Sequence, residues 1–129
     1  MKKLDKESVI GVSALLVHAA KIDEIYSDHE KDLVKDFIKS YLLDHDTNEI
    51  LKKAEELEMN SNQLLNYTNI IKNNSLEIKK DIIEHLWKVI ISDKTIDQYE
   101  SNLMRRICGL IYFPDKECAE IKLKLINKK

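Results

Sequence analysis

Residues 15–38 read LLVHAAKIDEIYSDHEKDLVKDFI, and residues 85–111 read HLWKVIISDKTIDQYESNLMRRICGLI. Each is an apolar run, a short acidic segment, then a run whose apolar residues recur at helical spacing. Asp23 and Glu30 of the first recur as Asp93 and Glu100 of the second, at a shift of 70 residues. At that shift the units 5–42 and 75–112 align without a gap. Asp5 falls on Ser75, and both residue types are good helix N-caps. Glu7 falls on Glu77, in a first turn where the macrodipole favours an acid. Val12, Leu16, Ala19 and Ala20 fall on Ile82, Leu86, Val89 and Ile90, which occupy one face of a helix. Leu33, Val34, Phe37, Ile38 and Tyr41 fall on Leu103, Met104, Ile107, Cys108 and Ile111, a second helical stripe. Each unit therefore predicts an apolar helix, an acidic loop and an amphipathic helix.

Between the units, Thr47 is positioned to cap a segment carrying Ile50, Leu51, Ala54 and Leu57. Asn60 or Ser61 can cap another, carrying Leu64, Leu65, Thr68 and Ile71. Phe113-Pro114-Asp115 then breaks the chain, with Asp115 as cap of a last helix bearing Ile121 and Leu125. No strand-like alternation or hairpin turn is present. The expectation is an all-α compact bundle of about seven helices with an internal pseudo-twofold repeat, one domain over residues 1–129. With only two Gly and one Pro, long uninterrupted helices are the natural elements. Trp87, aligned with Val17, reads as a core aromatic, and Cys108 as a buried free thiol. Gly109, inside a helical pattern, reads as a point of close packing.

Of the 129 residues, 43% are hydrophobic and 34% charged, a balance that suits a folded chain and argues against disorder. Net charge is −2, and the basic pairs sit among acidic neighbours, so no nucleic-acid partner is expected. Val9 to Ala20 is too short to span a bilayer, so no membrane insertion is expected. The N-terminus, interrupted by Asp5 and Glu7, lacks the pattern of a signal peptide. Cys108 and Cys118 form no metal or disulfide framework, and a cytoplasmic location is the default.

The acidic loops have two readings. Ser27-Asp28-His29-Glu30 and Asp97-Gln98-Tyr99-Glu100 fit a capping box, in which the N-cap oxygen and the Glu three residues on exchange hydrogen bonds with each other's backbone. This accounts for Ser27, Glu30, Asp97 and Glu100, but not for Asp23 and Asp93. Each of those stands at the negative end of the preceding helix, where an acid is disfavoured by roughly 0.3–1 kcal/mol. An Asx-turn would compensate. So would Ca²⁺ or Mg²⁺ held by Asp23 and Glu30 in one loop and by Asp93, Asp97 and Glu100 in the other. The spacing is not that of an EF-hand, whose Glu comes at position 12. His18, His29, His45 and His85 show no i, i+4 pairing of the kind that marks a zinc helix. Gly11 and Gly109 alone make no phosphate loop.

The duplicated order of apolar helix, Asp, apolar residue, acid or Ser, then Glu opening the next helix resembles the tellurite-resistance TerB family, also found as a domain in membrane-anchored DnaJ-like co-chaperones. Leu86-Trp87 before the second copy belongs to the same likeness. The resemblance covers nearly the whole chain. It implies an all-helical fold, a small cytoplasmic bacterial protein, and an acidic cluster proposed to bind a divalent metal, here Asp23, Glu30, Asp93 and Glu100. Where the family pattern has Gly after the Asp, this chain has Glu24 and Lys94. The expected function is a non-enzymatic acidic binding module, acting through protein contacts in stress responses, with the divalent cation left open. The alternative is a scaffold domain whose loops are caps. An enzyme would need a pocket with convergent polar groups and a perturbed base.

Overall fold

Ten of the fifteen residues of α1 (Lys6–Ala20) are buried, because α2, α3, α4 and α5 all pack against it. A helix apolar on nearly every side is stable only when enclosed in this way. The computed structural model describes residues 4–21, 27–43, 45–60, 65–91 and 98–127. Among them are seven α-helices and no strand: α1, α2 (Asp28–Tyr41), α3 (Thr47–Asn60), α4 (Leu65–Ile71), α5 (Leu76–Ile91), α6 (Gln98–Leu110) and α7 (Asp115–Asn127). Beyond the packing on α1, α5 meets α2 and α7, α2 meets α3, and α6 meets α4 and α7. The core is one continuous cluster fed by the apolar stripes. The stripes expected on α2 and α6 are its walls: Val34, Phe37 and Ile38 on one, Leu103, Met104, Ile107, Cys108 and Ile111 on the other are all buried.

Local hydrogen bonds explain where the helices start. Asp5 Oδ1 accepts from Ser8 N–H at 2.7 Å, and Ser75 Oγ from Ile78 N–H at 3.3 Å, so both expected N-caps form. Ser27 and Glu30 make the full capping box. The start of α3 differs from expectation. Asp46, not Thr47, caps it, its Oδ1 accepting from Asn48 N–H at 3.0 Å and Glu49 N–H at 3.4 Å. An Asp carboxylate accepts more strongly than a Thr hydroxyl, and Thr47 becomes the first helical residue. Asn60 is the last residue of α3 rather than a cap of α4, and Leu57 is exposed. Asp115 lies inside α7, whose first turn closes on the Pro114 carbonyl, accepting from Cys118 N–H at 3.1 Å.

The two glycines have different roles. A methyl group added at Gly11 would collide with Cδ1 of Ile70, so Gly11 leaves room for the α4 side chain against α1. Gly109 corrects the reading of close packing: a Cβ there would meet nothing within 4 Å. Its φ is not positive, so the backbone does not need glycine either. Gly109→Ala is therefore expected to stabilise the protein by about 0.5–1 kcal/mol through helix propensity, read as a higher urea midpoint at unchanged slope. A lower midpoint would show that the last turn of α6 needs glycine after all.

Candidate functional site

The acidic segments flank the N-termini of α2 and α6. Of the five expected cation ligands, Glu30 is fully described. Asp23, Asp93 and Asp97 lie outside the described residues, and so does the side chain of Glu100. Glu30 is only 4% exposed, an unusual setting for a carboxylate. Its Oε1 accepts from Ser27 N–H at 2.9 Å and from Ser27 Oγ–H at 3.1 Å, while Ser27 Oγ accepts from Glu30 N–H at 3.2 Å. The positive end of α2 and these donors together compensate the burial of the charge. Among the described residues no group of three or more His, Cys, Asp or Glu side chains is arranged to hold a metal ion.

Two polar clusters join helices inside the bundle. Between α2 and α5, Tyr41 Oη donates to Asp81 Oδ2 at 2.7 Å, and His85 Nδ1 donates to the Asp81 carbonyl at 2.9 Å. Phe37 closes the cluster, with ring centroids 5.0 Å from Tyr41 and 5.1 Å from His85. Burial, then the Asp81 hydrogen bond, push the Tyr41 phenol well above its ordinary range, so it stays a protonated donor. Between α1 and α3, Glu58 accepts from Lys21 Nζ at 2.9 Å, and His18 Nδ1 lies 3.3 Å from its other oxygen. The sequence reading placed Tyr41 on the α2 stripe without its polar partner, and did not single out Asp81 or Glu58. Two local signals were present: Asp81 and His85 at i, i+4, and His18 and Lys21 at i, i+3, spacings that put side chains on one helix face. Nothing in one sequence says that Tyr41 meets a residue forty positions on. In both clusters the polar groups are engaged with one another, an arrangement that joins helices.

A third group lies where α6, α7 and α5 meet. Trp87 Nε1–H donates to the Cys118 carbonyl at 3.2 Å, and Lys122 Nζ stands 5.3 Å from the centre of the Trp87 ring. Cys108 and Cys118 are buried free thiols beside it. Trp87, at 4% exposure, is the core aromatic expected of it.

The model of one protein family, described as tellurite resistance protein TerB, matches residues 9–123. The chain belongs to the TerB family. No curated protein and no solved structure matches it significantly. The TerB match runs from the first turn of α1 into α7, so it takes in both acidic segments and all three clusters. Among the described residues no helix is long and apolar enough to cross a membrane.

Proposed function

We propose that this TerB-family chain is a non-enzymatic binding module that works through protein contacts in a tellurite-resistance or stress response. Its two acidic segments together form a Ca²⁺- or Mg²⁺-dependent surface. The observation that carries this reading is the family match across both Asp-to-Glu segments. A carboxylate has about four lone-pair sites, so Glu30 can serve its capping box and still ligate a cation. The two-unit reading is supported by register and packing. Helices α5 and α6 begin at Leu76 and Gln98, 70 residues after α1 at Lys6 and α2 at Asp28. Helix α7 packs on α5 as α3 packs on α1, an echo that runs past the boundaries drawn at residues 42 and 112.

The test is a Ca²⁺ and Mg²⁺ titration of chelator-treated protein followed by backbone amide shifts. We expect saturable shifts in both acidic segments, abolished in both by Asp93→Asn. Absence of shifts up to millimolar cation would favour the second reading, a scaffold domain whose acidic segments are caps. The closed Ser27–Glu30 box favours that reading, because it accounts for Glu30 without a ligand. On it, Asp93→Asn changes stability slightly and binding not at all.

A further inference from the structure

Away from the acidic segments, a cavity opens between α5, α6 and α7. The corner that joins the last two helices shapes it. Helix α6 ends in a Schellman turn, with Phe113 N–H donating to the Cys108 carbonyl at 2.8 Å and Tyr112 N–H to the Gly109 carbonyl at 3.4 Å. Tyr112 takes the left-handed conformation this turn requires, at φ 60°. The chain reverses, and Pro114 leads into α7. The cavity has a volume of about 530 Å³. Sites for small organic molecules span roughly 300–1,000 Å³.

Its lining is divided by chemistry. Trp87 of α5 and Met104 of α6 are almost fully buried and make an apolar floor. Helix α7 contributes Asp115, Cys118, Ala119 and Lys122, at the i, i+3, i+4 and i+7 spacing of one helix face. The Trp87 N–H is already engaged by the Cys118 carbonyl, so the indole offers the cavity only apolar and π surface. The charged groups are Arg105, Lys122 and Asp115, two cations against one carboxylate. Lys122 is attracted to the Trp87 ring, its Nζ 5.3 Å from the centroid. No ion pair joins Arg105 to another described residue.

This division selects a ligand. The floor suits an apolar body. The surplus of one positive charge suits a single anionic group, and Asp115 opposes a second. The planar fork of Arg105 matches a carboxylate, which it can bind through two parallel hydrogen bonds. We propose that the cavity between α5, α6 and α7 binds a small monocarboxylate with an apolar body. Arg105 holds the carboxylate, Lys122 adds its charge, and Trp87 and Met104 receive the body. The site uses neither acidic segment, and it gives the chain a small-molecule ligand in addition to protein partners.

The experiment is titration of the full chain with phenylacetate, followed by Trp87 emission and by backbone amide shifts. Trp87 is the sole tryptophan and lines the cavity, so its emission reports on this site. We expect a saturable change with a dissociation constant of about 1 mM or below, and amide shifts concentrated on α5, α6 and α7. Phenylacetamide has the same shape without the charge, and inorganic phosphate has charge without the body. Each should bind at least about tenfold more weakly. Arg105→Gln should weaken phenylacetate about tenfold with helical circular dichroism unchanged. No saturation up to about 10 mM phenylacetate would overturn the proposal. So would equal binding of phenylacetamide or of phosphate, and these comparisons need no variant. Unaltered affinity in folded Arg105→Gln protein would overturn it as well.

Discussion

Phe37→Ala should destabilise the protein by about 3–5 kcal/mol, the range for removing a fully buried aromatic ring. Phe37 is 0% exposed and lies between α2 and α5, with its ring against those of Tyr41 and His85. Truncation removes the ring's contacts and leaves a cavity beside the Tyr41–Asp81 hydrogen bond. Folded domains are stable by only about 5–15 kcal/mol in total, so the variant should be partly unfolded near body temperature. Urea unfolding followed by helical circular dichroism measures it. A loss below about 1 kcal/mol would mean that α2 is not seated on α5 by this ring.

The size of that effect also ranks the forces that hold α2. Its capping box contributes roughly 1 kcal/mol, and its buried stripe several times more. The acidic residues at its head can thus be altered for functional tests without unfolding the helix, which is what makes the cation titration interpretable. The same ranking predicts that Glu30, though buried, can be replaced without unfolding α2. Among the described residues its hydrogen-bond partner is Ser27, three positions away, and the helix end adds to that local compensation.

Helix existence was legible in the chain because it rests on local periodicity. The stripes on α2, α5 and α6 were read residue by residue, and the caps at Asp5, Ser27 and Ser75 follow from side chains that bond within three positions. Thr47 was expected to cap α3, and Asp46 displaced it because its carboxylate is the better acceptor. Gly109 was misread because a glycine in a helical pattern looks the same whether it faces a neighbour or solvent. The polar joints were the least legible part. Tyr41–Asp81 and Lys21–Glu58 link residues about forty apart, and their pairing is set by how the helices cross. Cys108 was read correctly as buried, but the left-handed turn at Tyr112 that ends α6 is one that a tyrosine does not announce. The acidic segments were legible as a pattern because the chain repeats them, and the family match covers both copies.

Trp87→Ala should also destabilise by about 3–5 kcal/mol, and pairing it with Trp87→Phe separates two causes. The indole is the largest side chain in the chain and carries two distinct attachments. Its ring is buried where α5 packs on α7, and its N–H donates to the Cys118 carbonyl. Trp87→Phe keeps most of the apolar area but gives up that hydrogen bond, whose net worth is about 0.5–1.5 kcal/mol. The Cys118 carbonyl still lies inside α7, where helical bonding can serve it, so Trp87→Phe should lose about 1–2 kcal/mol and Trp87→Ala clearly more. Equal losses in the two variants would put the hydrogen bond, not the ring, in charge of docking α7. Because Trp87 is the sole tryptophan, unfolding must be followed by circular dichroism rather than emission. If packing dominates, as burial argues, α7 is held to α5 mainly through Trp87, Cys118 and Ile121.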